Sequence, residues 1–563
     1  MGKVQQSRPE VDAVIVGAGF SGLYMLHRLR ELGFTTRVFE AAEGVGGTWH
    51  WNRYPGARCD SESHYYCYSF SEEIRNEWRW SCRYPAQPEI LEYLNFVADK
   101  LDLKKDIEFR SRVTAGHFDE QTRRWRVETD RGETVHARFL ITGVGNTSKP
   151  SRPDIPGLDT FAGKIYHTAL WPHEKVDFTG QRVGLIGTGS SGIQSAPLIA
   201  EEAAHLTVFQ RTANYSVPAR NRPLSDEMRQ ELKKNYPELR RMTLASPIGM
   251  SIEPAQTSAL ADSPEKRQAK LDALWETGGF YFMFASYNDI VVDLKANATV
   301  ADYIAAKIRD KVRDPATADI LCDFNHPVGT KRPPIDTDYY ETFNRDNVTI
   351  VSIRAAPIRE VTADGLTLEN GKHYPLDAIV FATGFDTVTG SLIKMNLHGK
   401  SGESLAEKWK DGPRAYLGLC TAGFPNMFMI TGPGSPGILT NFPVCIEQNV
   451  EWIADVMKHM RDINVTEIEA SSHAESDWVQ MVTEEANKTL LPTVDSWYMN
   501  VNIKGKPRVF TAYLKGMPSY AELCADIAKK GYENFELRSG EPVARARSER
   551  ATFDYNDGME GVS

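Results

Sequence analysis

The sequence predicts an α/β chain made of two parallel-sheet βαβ units with a helical insertion, and three observations carry that expectation. The run Ala13-Val14-Ile15-Val16 is short and wholly apolar, as a strand covered on both faces must be, and it opens directly into Gly17-Ala18-Gly19-Phe20-Ser21-Gly22. The same grammar returns where Arg182-Val183-Gly184-Leu185-Ile186 opens into Gly187-Thr188-Gly189-Ser190-Ser191-Gly192. From 218 to 330 the pattern turns charged and helical, as in Asp226–Arg241 and Ser263–Glu276. A chain of 563 residues also exceeds what one core can organise.

Composition narrows the class. With 41% apolar and 25% charged residues the chain is an ordinary globular protein, and a net charge of −10 argues against nucleic-acid or anionic-membrane partners. No uninterrupted apolar run approaches the ~20 residues of a membrane span. The seven cysteines form no Cys-x-x-Cys pair and no zinc spacing, so neither a redox dithiol nor a metal site is expected. Scattered cysteines and no leader pattern fit a reducing, cytoplasmic setting.

In the first unit, a helix from Leu23 to Leu32 and a strand Arg37-Val38-Phe39 follow the glycines, and the strand ends in Glu40. Strand, glycine turn, helix, strand and acid complete the Rossmann fingerprint. Gly17 serves the tight turn, Gly19 the approach of a pyrophosphate, and Gly22 close helix–strand packing. Glu40 is placed to accept from a ribose diol, which points to FAD. The block from Gly44 to Asp60 mixes glycines with Trp49, Trp51 and Tyr54, as backbone wrapped on a flat ligand would. A helix is expected over 88–100. Strands at 113–118, 124–129 and 134–140 read as a small meander, with 139–146 as a separate strand returning to the first sheet. A Pro-rich linker covers 149–157, and the stretch Phe161–Pro172 reads as its continuation, packed by its aromatics.

The second unit departs from the first. Its helix runs to about Ala204 and its next strand, Leu206–Phe209, ends in Gln210-Arg211-Thr212 with no acid. A guanidinium suits a 2′-phosphate by charge and fork geometry, so NADPH is expected here. Within the insertion, Phe280–Phe284 reads as core packing. Strands at 347–352, 366–369 and 378–381 return to the second unit, and the last feeds Ala382-Thr383-Gly384. A helix over 446–462 lies in the remainder. The expected division is 1–148 and 389–540 for the FAD domain, 149–217 and 331–388 for the linker and NADP domain, 218–330 for the insertion, and 541–563 as a polar tail. The whole is two Rossmann-like dinucleotide-binding domains.

Two dinucleotides in one chain imply electrons passing from NADPH to a flavin. A disulfide acceptor would need the cysteine pair that is missing, whereas molecular oxygen needs only a protected pocket. Read as Phe-x-Gly-x-x-x-His-x-x-x-Trp-Pro, the stretch from Phe161 through Gly163, Tyr166 and His167 to Trp171-Pro172 resembles the fingerprint of flavin-dependent Baeyer–Villiger monooxygenases. The segment 44–60, Lys331-Arg332 and Asp495-Ser496-Trp497 resemble the same family, closest to its phenylacetone and cyclohexanone monooxygenase type. The resemblance implies oxygen insertion beside a ketone carbonyl through a flavin C4a-peroxide, giving an ester or lactone. It makes Arg332 the catalytic arginine, because a permanent cation stabilises an anionic peroxide and the adduct it forms, and Asp60 its holder. FAD contacts would be Ser21, Glu40, Gly47, Thr48, Trp49, Trp51, Arg58, Cys59, Asp60, Tyr66 and Val113. NADP contacts would be the second glycine turn with Arg211, Thr212, Lys331 and Trp497. Ile438, Leu439 and Phe442 would wall the substrate, and His167 would couple domains rather than react. A sulfide- or amine-oxygenating enzyme and a non-oxygenating NADPH:acceptor flavoprotein are the alternatives. The ketone's size and the oligomeric state are left open by the residues.

Overall fold

A computed structural model describes residues 10–540, so the polar tail expected at 541–563 lies outside the described residues. Two sheets organise the chain, the first mixed and the second all parallel. In the first, the strands run in the order Leu397–His398, Val113–Asp119, Arg124–Thr129, Thr134–Thr142, Glu10–Val16, Thr36–Phe39, Ile107–Glu108. Ala13, Val14 and Ile15 are fully buried, which is why this strand carries no polar alternation. Burying each such side chain contributes about 1.5–3 kcal/mol.

The expected meander is not separate from this sheet. Residues 134–140 and 139–146 belong to one strand, Thr134–Thr142, whose first half pairs antiparallel with Arg124–Thr129. The strand also runs parallel to Glu10–Val16, and its end pairs with Met427–Met429. The reading as two strands fails because alternation gives way to the continuous apolar run Phe139-Leu140-Ile141 without a turn between them.

The second sheet is all parallel, in the order Val348–Ser352, His205–Gln210, Arg182–Ile186, Ala378–Phe381, Lys164–His167. The fingerprint stretch is therefore not a plain linker: Tyr166 and His167 sit opposite Val380 and Phe381 on an edge strand. A three-stranded meander, Ile358–Thr362, Gly365–Leu368 and His373–Pro375, lies beside it.

Val217–Pro218 pairs with Ile335–Asp336, and the helical segment leaves and returns between these two strands. The single helix expected over 226–241 is two, Asp226–Lys234 and Tyr236–Ala245. Pro237 has no N–H to donate and its ring crowds the preceding turn, so it sits in the first turn of a new helix. The late helix starts at Phe442 rather than 446, with Pro443 in its first turn, and packs with the Phe20–Glu31 helix in the core of the first sheet. Among the described residues no helix is long and apolar enough to cross a membrane.

Candidate active site

The first glycine turn is held together from its own chain. A Cβ on Gly22 would lie 1.7 Å from the Gly17 carbonyl oxygen, so only glycine lets the helix start this close to the turn. The Glu40 carboxylate accepts the Ala18 and Ala42 N–H groups, both at 2.7 Å. Burial raises the Glu40 pKa, and those backbone bonds oppose the rise. Glu40 thus braces the turn and still has lone pairs to offer a ribose. The Phe20–Glu31 helix has no side-chain cap at Gly19, which leaves its first N–H groups for an anion.

The wrapping segment presses on this turn: a Cβ on Gly47 would stand 3.0 Å from Gly19 Cα. Thr48–Trp51 forms one helical turn, and Trp49 Nε1 donates to the Tyr66 hydroxyl at 3.1 Å. Ser111 N–H bonds the Glu40 carbonyl, which brings buried Val113 to the same end of the sheet. A buried acid, an uncapped helix start and aromatics along a glycine loop fit a flavin dinucleotide.

In the second turn a Cβ on Gly192 would lie 2.1 Å from the Gly187 carbonyl oxygen, while one on Gly189 would meet nothing within 4 Å. Thr188 Oγ1 donates to the Thr212 carbonyl at 2.8 Å, tying the turn to the strand end that carries Arg211. The Ser190–Glu202 helix, which includes Ser191 in its first turn, again has no side-chain cap. Cations gather beside it. Burial lowers the Lys331 pKa, as does the charge of Arg211, Asp495 opposes, and Arg354 lowers it further. His326 is pushed down to about 4 by burial, with Lys331 and then Arg354 adding to it. Arg354 was not singled out from the sequence. Its guanidinium pairs with Asp323 at 2.7 Å, and its Nε reaches the Arg211 carbonyl at 3.4 Å. With Arg354 paired to Asp323, Arg211 and Lys331 leave positive charge beside the turn that suits a phosphate ester.

Between the two turns lies the Arg332–Asp60 pair. Arg332 Nε donates to Asp60 Oδ2 at 2.7 Å and its terminal N–H to Oδ1 at 2.9 Å, a bidentate fork. Burial alone would lower the Arg332 pKa, but the Asp60 charge and hydrogen bonds outweigh it and drive it upward. The guanidinium stands 5.0 Å from the Phe280 ring centroid. Phe280 therefore does more than fill the core, although Phe282, at 0% exposure against Trp275, fits the packing expectation. Tyr498 lies beside the pair, its phenol pushed up to about 12 by burial while the Arg332 charge pulls the other way. Burial drives the Cys59 thiol far upward, so it is unreactive.

A residue that sequence reasoning missed holds this loop. Gln194, from the helix of the second glycine turn, accepts from the Tyr54 hydroxyl at 2.9 Å and from Arg58 N–H at 3.4 Å. Its amide donates back to the Arg58 carbonyl at 3.2 Å. A Cβ on Gly56 would meet the Gln194 carbonyl at 2.2 Å, so this approach needs glycine. The available signal was one long polar residue in the otherwise small and apolar stretch Ser190–Ala200, ahead of Glu201-Glu202 at the helix end.

His167 is a buckle. Its Nδ1 accepts Ala169 N–H at 3.1 Å, so Nε2 carries the proton and faces the Ser151 carbonyl at 3.1 Å and the Thr383 hydroxyl at 3.2 Å. Burial lowers its pKa, against the Ser151 bond, so the ring is neutral. Tyr166 stacks on Trp171 at 5.3 Å, and Gly163 passes close to the Asp377 carbonyl. Phe161 packs against the core of the second meander. Trp497 leans on Tyr498 with ring centroids 4.5 Å apart. Ile438 is 2% exposed, with Leu439 and Phe442 packed beside it in the core of the first sheet.

Comparison with known proteins shows the family of this fold. Residues 14–273 fit the family model described as pyridine nucleotide-disulphide oxidoreductase. A Baeyer–Villiger monooxygenase from Pseudooceanicola batsensis is 44% identical over 93% of this chain and 95% of its own. The chain belongs to the Baeyer–Villiger monooxygenase family. Its cofactors are FAD and NADP, and it is a flavin-dependent monooxygenase. The disulphide in the family model's description has no counterpart here, since all seven cysteines are free. An oxidized steroid monooxygenase bound to NADP superposes with a TM-score of 0.90 and 48% identity, covering 94% of this chain and 100% of that one. A phenazine N-monooxygenase from Lysobacter antibioticus is also 44% identical, over 95% of this chain and 98% of its own.

Proposed function

We propose that the chain uses NADPH and oxygen to insert one oxygen atom beside a ketone carbonyl, giving an ester or lactone, with Arg332 as the catalytic residue and Asp60 as its positioning partner. Bound FAD, once reduced by NADPH, supplies the activated oxygen. The Arg332–Asp60 fork carries the reading. A guanidinium fixed in two directions by Asp60, with an aromatic face beneath it, stays charged at every working pH. It stabilises the negative charge that develops on the attacked carbonyl oxygen, where removing one such donor costs about 10²–10³ in rate. Asp60 keeps the guanidinium oriented without delivering a proton.

Under the same reading, residues 1–148 and 389–540 hold FAD and 149–217 with 331–388 hold NADPH. The insertion at 218–330 contributes Phe280, and Ile438, Leu439 and Phe442 wall the ketone. Arg211, Thr212, Lys331 and Trp497 act on NADPH, and the fingerprint residues Phe161, Gly163, Tyr166, His167, Trp171 and Pro172 couple the two halves.

Arg332→Ala should lower ester formation by about 10²–10³ while NADPH-driven flavin bleaching under anaerobic conditions persists. Normal ketone oxygenation in that variant would sink the assignment. The phenazine relative motivates one second reading, oxygen transfer to a ring nitrogen. Mass-spectrometric product analysis on matched ketone, sulfide and heteroaromatic panels decides between them.

A further inference from the structure

Three side chains from separate segments converge beside the wrapping loop, outside the residues assigned above. Glu43 lies just past the Glu40 strand end, His50 belongs to the Thr48–Trp51 turn, and His173 follows Trp171-Pro172 directly. One carboxylate oxygen and one ring nitrogen from each histidine all lie within 4.8 Å of one another. His173 Nδ1 stands 3.8 Å from Glu43 Oε1, and the two imidazole rings are 5.4 Å apart at 58°. We propose that Glu43, His50 and His173 bind a divalent transition-metal ion of the zinc type, bridging the flavin-wrapping loop to the fingerprint segment of the second sheet.

The donor set selects the ion class. Two imidazoles and one carboxylate are ligands zinc takes readily, whereas calcium and magnesium call for oxygen cages. Bonds of ~2.0–2.2 Å around zinc place ligand atoms roughly 3.3 Å apart, so the three groups must close by about 1.5 Å. The arrangement allows it. His50 is only 6% exposed and sits edge-on to Trp51, which makes it the fixed ligand. The Glu43 and His173 side chains are 51% and 47% exposed and can swing inward, leaving a fourth position for water.

An ion pair among the three is the weaker explanation. The one contact of ion-pair length, His173 Nδ1 to Glu43 Oε1, is long at 3.8 Å and joins two half-exposed side chains, where such pairs are worth little. Arg110 competes for Glu43 at 2.9 Å, but its side chain is 73% exposed and such surface pairs are worth little. Arg53 is tied to the His50 carbonyl, so its charge remains near the ion and favours an exchangeable occupant over a permanent one. Short spacings are what reveal zinc motifs, and these ligands are drawn from positions as far apart as 43, 50 and 173.

The test uses the FAD-loaded enzyme, freed of metal by chelation and titrated with zinc chloride by calorimetry. One zinc per chain is expected. His173→Ala and Glu43→Gln should each weaken binding by about tenfold or more, since even an outer partner of a metal ligand is worth that much. Both positions are half-exposed, and unchanged bound-flavin absorbance verifies folding. Copper(II) at the same site should show coupling to two imidazole nitrogens by electron paramagnetic resonance. Zinc should also slow NADPH oxidation by the wild type and leave His173→Ala at its zinc-free rate. Absence of saturable binding, equal affinity in the variants, or equal slowing of both enzymes overturns the site. The calorimetric outcome does not depend on whether the enzyme oxygenates ketones.

Discussion

A planar guanidinium can satisfy both oxygens of one carboxylate and still present a flat charged face, which an ammonium cannot. Arg332 uses that property against Asp60 and Phe280. At Arg211 the same group does different work. It ends a strand where the first unit has Glu40, and its side chain is exposed beside Lys331. A carboxylate there would repel a 2′-phosphate, whereas a guanidinium binds it. A hydrogen bond to a charged partner is worth about 1.5–3 kcal/mol, so Arg211→Ala should raise the KM for NADPH by about tenfold to a hundredfold. The KM for NADH should barely move. Parallel loss for both nucleotides, measured by steady-state oxidation, would mean that Arg211 supports the fold rather than reading the phosphate.

At the scale of elements, two glycine turns of the same design serve different nucleotides under the proposed reading, and that separates their failures. Gly22→Ala puts a methyl 1.7 Å from the Gly17 carbonyl, and Gly192→Ala puts one 2.1 Å from the Gly187 carbonyl. Neither carbonyl can move without opening its turn, at a cost of about 1–3 kcal/mol or more. Gly22→Ala should purify depleted in flavin. Gly192→Ala should keep its yellow colour and lose NADPH affinity. Flavin loss from both variants would show general misfolding instead. These turns, with the strands that feed them, were legible because local spacing determines them. Ala378–Phe381 falls on the expected residues, and Gln87–Lys100 and Pro264–Thr277 within one of them. What escaped depends on distant partners or on a local breaker. Pro237 split a helix whose charge pattern runs on without interruption, and Lys164–His167 became a strand only because Ala378–Phe381 offers it an edge. Phe280 beneath Arg332, Arg354 behind Arg211 and Gln194 against Gly56 are contacts between segments far apart in the chain. No periodicity encodes them.

Over the whole molecule, the two nucleotide-binding halves share an apolar core, in which Tyr54, Ala57, Tyr65 and Tyr84 pack with the second sheet, and polar clasps fasten it. His167 joins Ser151 of the linker to Thr383 of the crossover turn inside the NADP half, whereas Asp386, paired with Lys149 at 2.7 Å, also receives Lys506 from the late chain of the FAD half. Neutral and saturated with bonds, His167 is a fastener. Gln194 is the clasp nearest the reacting groups: it holds Tyr54 and Arg58 from the helix of the second glycine turn, and Asp60 lies two residues beyond Arg58. The placement of Arg332 is thereby linked to the helix proposed to face NADPH. Removing the amide forfeits bonds worth about 0.5–1.5 kcal/mol each, enough to loosen a loop without unfolding a domain. Gln194→Ala should therefore keep its FAD and its rate of anaerobic flavin reduction. Hydrogen peroxide released per NADPH consumed should rise, because oxygen is activated beside a guanidinium that is no longer held in register. The ester formed should be the same compound in lower yield, and Gln194→Glu should not restore it, since a carboxylate cannot donate to the Arg58 carbonyl. If peroxide leakage stayed at the wild-type level, the loop would be positioned without Gln194, and the link between the two halves would have to run through Lys506 and Asp386 instead.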